Sequence, residues 1–131
     1  MVLQQGTPVR IWGAAMAGER VTVALAGQQA AGTTDAQGRW QVQLAPLAAG
    51  GPHVMTVTGA NVVTVTNILV GEVWVAAGQS NMQMALNAVN RPDEIASADW
   101  PQIRAFNVAR DADIVPREDA AGAWQTCSPK T

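Results

Sequence analysis

Cysteine and histidine are almost missing from the sequence, with one of each, Cys127 and His53, in 131 residues. A lone cysteine excludes an internal disulfide, and one cysteine with one histidine excludes a Cys/His metal cluster. Charge is also sparse. Eight Lys and Arg stand against ten Asp and Glu, a formal net charge of −2, and the basic residues are scattered. No electrostatic footprint for nucleic acid or an anionic membrane is present, so a neutral or small partner is expected. No window approaches the roughly 18 apolar residues that a membrane span needs. The opening residues, MVLQQGTPVR, lack a basic segment followed by an apolar one, so no signal peptide is expected. Nothing calls for a cofactor. What remains is the composition of a soluble globular chain, 48% of it apolar.

The first half is punctuated like an all-β domain. PVRIWG, RVTVALAG, RWQVQL, HVMTVTG and VVTVTNI are short runs rich in Val, Thr and Trp, separated by Gly, Pro, Asn and Asp. Val21, Val23 and Leu25 alternate with Thr22 and Ala24, and Trp40, Val42 and Leu44 alternate with Gln41 and Gln43. Each strand should therefore bury one face and wet the other. Between two runs lies TTDAQGRW, where Asp35 can open a turn and Gly38 can supply positive φ, which reads as a hairpin. Five or six such strands predict a sandwich-like domain over residues 1–67.

Near Asn67 the pattern changes. Val73 to Ala77, VWVAA, is apolar at every position, which suits a strand covered on both faces in a parallel sheet flanked by helices. Gly78 cuts the run too short for a buried helix. Met82, Ala85, Leu86 and Val89 then recur near a 3.6-residue period, predicting an amphipathic helix. QIRAFNV, from Gln102 to Val108, reads as a second strand, and ARDADIVPREDAAG as a long surface loop. Residues 68–131 thus read as the start of an α/β domain.

Ser80 stands where the buried run ends and the helix begins, at the carboxyl edge of a sheet, where α/β folds place ligands. Its N–H and the next are first-turn donors able to face a developing oxyanion, and Gly78 lets the backbone bend tightly. Serine before a helix is also a common N-cap, and spacing alone leaves both roles open. Gly78-Gln-Ser-Asn-Met82 is not a Gly-x-Ser-x-Gly elbow, because Met82 replaces the second glycine. Asn81 can position an acyl oxygen or cap the helix, and Gln79 can touch substrate or sit solvated in its loop.

Bland readings suit other candidates. His53 reads as a surface or turn residue. Asp111, Asp113, Glu118 and Asp119 lack the spacing and glycine of an EF-hand and read as a solvated loop. Trp12, Trp40 and Trp74 fall in strand patterns and are expected in the core, although an exposed tryptophan could stack on a sugar. Cys127 reads as a packed thiol.

The blocks MVLQQGTPVRIWG, GERVTV, GRWQVQL, AGGPH, ILVGEVWVAAGQSNMQM and CSPKT together resemble the sialate O-acetylesterase family of SGNH/GDSL-type carbohydrate esterases. The resemblance runs almost end to end, and its most specific block is the one ending in GQSNMQM. Ala76 and Ala77 stand where the family often has a cysteine and a serine. The resemblance implies a flavodoxin-like α/β hydrolase start after the β domain and a serine nucleophile at Ser80, whose N–H is one oxyanion donor. It implies an O-acetylated sugar as substrate and a periplasmic or extracellular setting, and leaves the oligomeric state unassigned. The family's base histidine, its acidic partner and two further oxyanion donors, a glycine and an asparagine, lie beyond Thr131, and Met1 looks internal to the family pattern. The chain is therefore expected to be a fragment, inactive alone. The rival expectation is a non-catalytic carbohydrate-binding or structural β module, which has no need of the GQSN junction.

Overall fold

A computed structural model of the chain describes residues 1–109, 114–117 and 119–131. It is predominantly β and divides into two compact units, Val2–Val73 and Trp74–Thr131, Met1 grouping with the latter.

The first unit contains β1 (Val2–Gln4), β2 (Val9–Ala14), β3 (Arg20–Leu25), β4 (Gln28–Thr33), β5 (Arg39–Leu44), β6 (Gly50–Thr58) and β7 (Val62–Gly71). Five of these form one sheet in the order β1-β7-β6-β3-β4, while β2 and β5 pair separately. All pairings are antiparallel except β1 with β7. The expected alternation holds. Val21, Val23 and Leu25 of β3 and Trp40, Val42 and Leu44 of β5 are buried, and with Val9, Met55, Ile68 and Val70 they form a core drawn from both sheets. Fully burying a side chain such as Leu25 or Ile68 contributes about 1.5–3 kcal/mol. The two sheets come close where β4 meets β5: a Cβ on Gly32 would lie 3.1 Å from the Gln41 carbonyl oxygen.

TTDAQGRW contains the expected turn but not a hairpin. The Asp35 carboxylate accepts from the N–H groups of Gln37 (2.9 Å) and Arg39 (2.8 Å), and Gly38 has φ +76°. The strands it joins, β4 and β5, lie in different sheets, and β5 bonds to β2 instead. Gly38 faces the β2–β3 connection so closely that a Cβ would sit 2.7 Å from the Ala15 carbonyl oxygen. Buried Thr34 holds the other side of this passage: its hydroxyl donates to the Met16 carbonyl and accepts from the Glu19 N–H at 2.8 Å.

Strand β4, QQAAGT, carries no β-propensity signal and forms because its turn fits. Ala26 and Gly27 both have positive φ, +49° and +78°, between the paired residues Leu25 and Gln28, the signature of a type I′ hairpin turn.

The pattern change at Asn67 is a bulge inside β7, not the end of the unit. Asn67 has φ +57°, and Thr66 and Asn67 together oppose Val54, between the pairs Met55–Val65 and His53–Ile68. One extra residue turns Ile68 and Val70 inward after Val65. The unit ends at Val73, where the carboxylate of Glu72 accepts from Gln4 Nε2 (3.2 Å) and Gln5 Nε2 (2.5 Å), and Gln4 Oε1 accepts from the Val73 N–H at 2.8 Å.

The second unit departs from the expected α/β start. Val73–Ala77 forms no strand, and no α/β layer is evident among the described residues. A strand apolar on both faces needs neighbours for its backbone groups and layers over both sides. Among the described residues none supplies them, and Trp74 and Val75 are exposed. The expected helix is broken into α1 (Ser80–Gln83), a 3-10 turn (Leu86–Val89) and α2 (Pro92–Ser97), with Asn90 in the left-handed region between the last two. The second expected strand is present as β8 (Trp100–Val108), paired antiparallel with β9 (Gly122–Cys127). Gly122 is required there: a Cβ would lie 2.5 Å from the Asn107 carbonyl oxygen.

An alanine at positive φ costs about 1–2 kcal/mol relative to a residue that tolerates it. Ala26→Asn, which creates the favoured Asn-Gly turn at an exposed site, should raise stability by about 0.5–1 kcal/mol, read as a higher thermal midpoint. The hydrogen bonds from Gln5, then Gln4, hold Glu72 below its ordinary carboxylate pKa. A depressed folded-state pKa contributes stability that is present above the unfolded value and lost as pH falls through the folded one. The wild-type melting temperature should therefore drop more on acidification through the carboxylate range than that of Glu72→Gln; parallel pH profiles would refute the clamp.

Candidate active site

Past the Glu72 clamp the backbone runs without a ladder to Gly78, then turns. Gly78 is tight against the turn that follows: a Cβ there would lie 2.9 Å from Met82 Cβ. Gln79, not Ser80, is the residue before the helix. Its carbonyl accepts from the Gln83 N–H at 3.2 Å, and no side chain caps the turn. Ser80 is the first helical residue, and the Met84 N–H closes the turn on the Asn81 carbonyl at 3.4 Å.

The N-cap reading of Ser80 thus fails on geometry. Its side chain is exposed and makes no hydrogen bond among the described residues. Gln79 and Asn81 flank it, equally exposed, and Asn81 does not cap the helix either. Three polar side chains are therefore exposed at the start of this short turn.

The histidine that usually serves such a serine as general base is missing from this unit. Its sequence has no histidine, since His53 lies in β6 of the other unit, half-buried and opposite Ile68. A serine hydroxyl without a base is a weak nucleophile. Asp111, Asp113 and Glu118 lie outside the described residues. Asp119 accepts from the Ala120 N–H at 2.8 Å. Among the described residues no group of three or more His, Cys, Asp or Glu could hold a metal ion. Cys127 is half-buried, its thiol 3.8 Å from the Ala98 carbonyl oxygen.

The tryptophans divide. Trp40 is in the core, but Trp12 is 67% exposed and Trp74 86% exposed. Trp12 falls on the outward phase of β2, one residue off the inward Val9 and Ile11. Residues 4, 5 and 72, which close the end of the β unit, gave no sequence signal, because the two glutamines and the glutamate meet only through the parallel β1–β7 pairing.

No protein-family model matches the chain. Two sialate O-acetylesterases do match in sequence. The rat protein (Rattus norvegicus) is 38% identical and the mouse protein (Mus musculus) 33% identical, each over 123 positions covering 83% of this chain. In structure, 98% of the chain superposes with a TM-score of 0.91 and 34% identity on a crystal structure of a carbohydrate acetylesterase from Xanthomonas citri. The chain spans 23% of the length of the two mammalian proteins and 31% of the bacterial one. The chain is therefore homologous to one region of the sialate O-acetylesterases, and it shares the fold of the corresponding part of a carbohydrate acetylesterase.

Proposed function

We propose that this chain is the nucleophile-bearing region of a serine carbohydrate esterase that removes O-acetyl groups from sialic acid or a related acetylated glycan. The observation that carries the reading is the Ser80 turn: an exposed hydroxyl at the first residue of a helical turn, uncommitted as a cap, in a chain homologous to acetylesterases. In this reading Ser80 Oγ attacks the ester carbonyl carbon as its proton passes to a base, the C–O bond to the sugar breaks, and the sugar hydroxyl leaves protonated. Water then hydrolyses the acetyl-serine by the same route. The Ser80 N–H faces the oxyanion, and Gln79 and Asn81 are the side chains placed to touch the acyl group or the sugar. The SGNH-type resemblance supplies the base as a histidine outside this chain. A purely structural or carbohydrate-binding module would leave the uncapped, exposed Ser80 without a purpose.

Ser80→Ala in the whole enzyme should separate chemistry from folding. The side chain is exposed and unbonded, so stability should change by no more than about 0.5 kcal/mol. Release of acetate from O-acetylated sialic acid should fall by at least about 10³-fold. A variant that melts normally and keeps more than about one per cent of wild-type turnover would place the nucleophile elsewhere. The 131-residue chain alone, lacking a base beside Ser80, should hydrolyse a chromogenic acetyl ester no faster than its own Ser80→Ala variant; turnover sensitive to that change would refute the need for an outside base.

A further inference from the structure

Glycine is ordinarily demanded by a positive φ, and Gly78 is not among the glycines that have one. Its backbone would accept an L side chain, so what the position requires is the missing Cβ. A Cβ there would lie 2.9 Å from Met82 Cβ and 3.6 Å from Met82 Cγ. The first distance falls well short of the roughly 3.5 Å at which carbon atoms rest against each other. Contact with the far end of a side chain is relieved by a change of rotamer, but the place of a Cβ is fixed by its own backbone. Met82 is the third residue of α1 and Ser80 the first. Gly78 and Met82 thus stand two residues to either side of Ser80, and a side chain on Gly78 can enter only if one side of the turn moves against the other, displacing the serine between them. The turn has little to resist this: it closes through the Gln79 and Asn81 carbonyls, with no side-chain cap and no buried residue.

We infer that Gly78 is a positioning residue for the proposed reaction: its missing Cβ lets α1 close directly on the chain before it, and that contact sets where Ser80 Oγ stands. The inference deepens the reading of Ser80 as nucleophile and rests on it. Attack needs Oγ within about 3–3.5 Å of the ester carbon and aligned with it. Moving the turn degrades that alignment while the hydroxyl stays present and the sugar is held as before. The loss therefore falls on kcat and not on KM.

The test is a double-mutant cycle in the whole enzyme, read as acetate release from O-acetylated sialic acid, with a thermal melt of each variant. A misplacement of about 1 Å can cost about 10²-fold, so Gly78→Ala should lower kcat at least about tenfold and leave KM within about twofold. A glycine needed only for folding would shift the melt and leave the kcat of the folded enzyme intact. Met82→Ala keeps its Cβ and should not relieve the loss. Met82→Gly removes it, at a residue 55% exposed, and should itself keep at least about a tenth of wild-type kcat. In that background Gly78→Ala should change kcat by less than about twofold. If Gly78→Ala alone does not fold, the comparison of Met82→Gly with Gly78→Ala/Met82→Gly carries the test, since both should then fold and turn over alike. An undiminished kcat in Gly78→Ala, relief by Met82→Ala as full as by Met82→Gly, an inactive Met82→Gly, or a loss that persists in the Met82→Gly background would overturn the inference. Ser80→Ala run alongside separates the two readings: inactive Ser80→Ala beside fully active Gly78→Ala defeats the positioning alone, whereas active Ser80→Ala defeats both.

Discussion

The β unit depends on how the chain passes from one sheet to the other between Thr34 and Arg39. A backbone leaving one layer for another loses its ladder partners, and here the passage starts at buried Thr34 before residues 35–37 run exposed. Here Thr34 Oγ1 and the Asp35 carboxylate replace those partners, and Gly38 supplies both the positive φ and the missing Cβ that allow the Ala15 carbonyl to approach. Because the passage is satisfied, β5 can leave β4 and bond to β2. That choice sets Trp40, Val42 and Leu44 beside Val21, Val23 and Leu25 in a single core.

The same economy of polar groups governs the exit from the unit. Strand β7 needs the Asn67 bulge to turn Ile68 and Val70 inward, and β1 then covers its end in parallel. Gln4 and Gln5 are brought by that pairing to the Glu72 carboxylate, so the last backbone donor of the unit, the Val73 N–H, is met by a side chain from its beginning. The unit therefore ends at an anchored residue.

The Ser80 turn and the β unit are built differently. Ser80 belongs to a four-residue turn held by few hydrogen bonds and no buried side chain, so its geometry is locally determined by Gly78 and Met82. The β unit is set by strands far apart in sequence that share one buried core. Local stability differs accordingly between a segment with little buried apolar contact and one resting on a packed sheet.

Sequence by itself determined which residues of β3 and β5 face inward, because a period of two on a half-buried strand is a property of the strand alone. It likewise determined the Asp35–Gly38 turn, whose side-chain and φ requirements are local, and it singled out GQSNM as the place where chemistry would be sought. Only the tertiary structure decided which strands pair. Backbone donors and acceptors are the same in every residue, so nothing local tells β5 to choose β2 over β4, or β1 to lie parallel to β7. Composition hid β4, which the Ala26–Gly27 turn recruits, and β9, which gains its place from β8. Val73–Ala77 carries the pattern of a buried strand, but a pattern on one segment cannot supply the neighbours that would pair and cover it. The same limit applies to Trp12 and Trp40: both lie in strand patterns, and the phase of each strand against its partners left one exposed and buried the other.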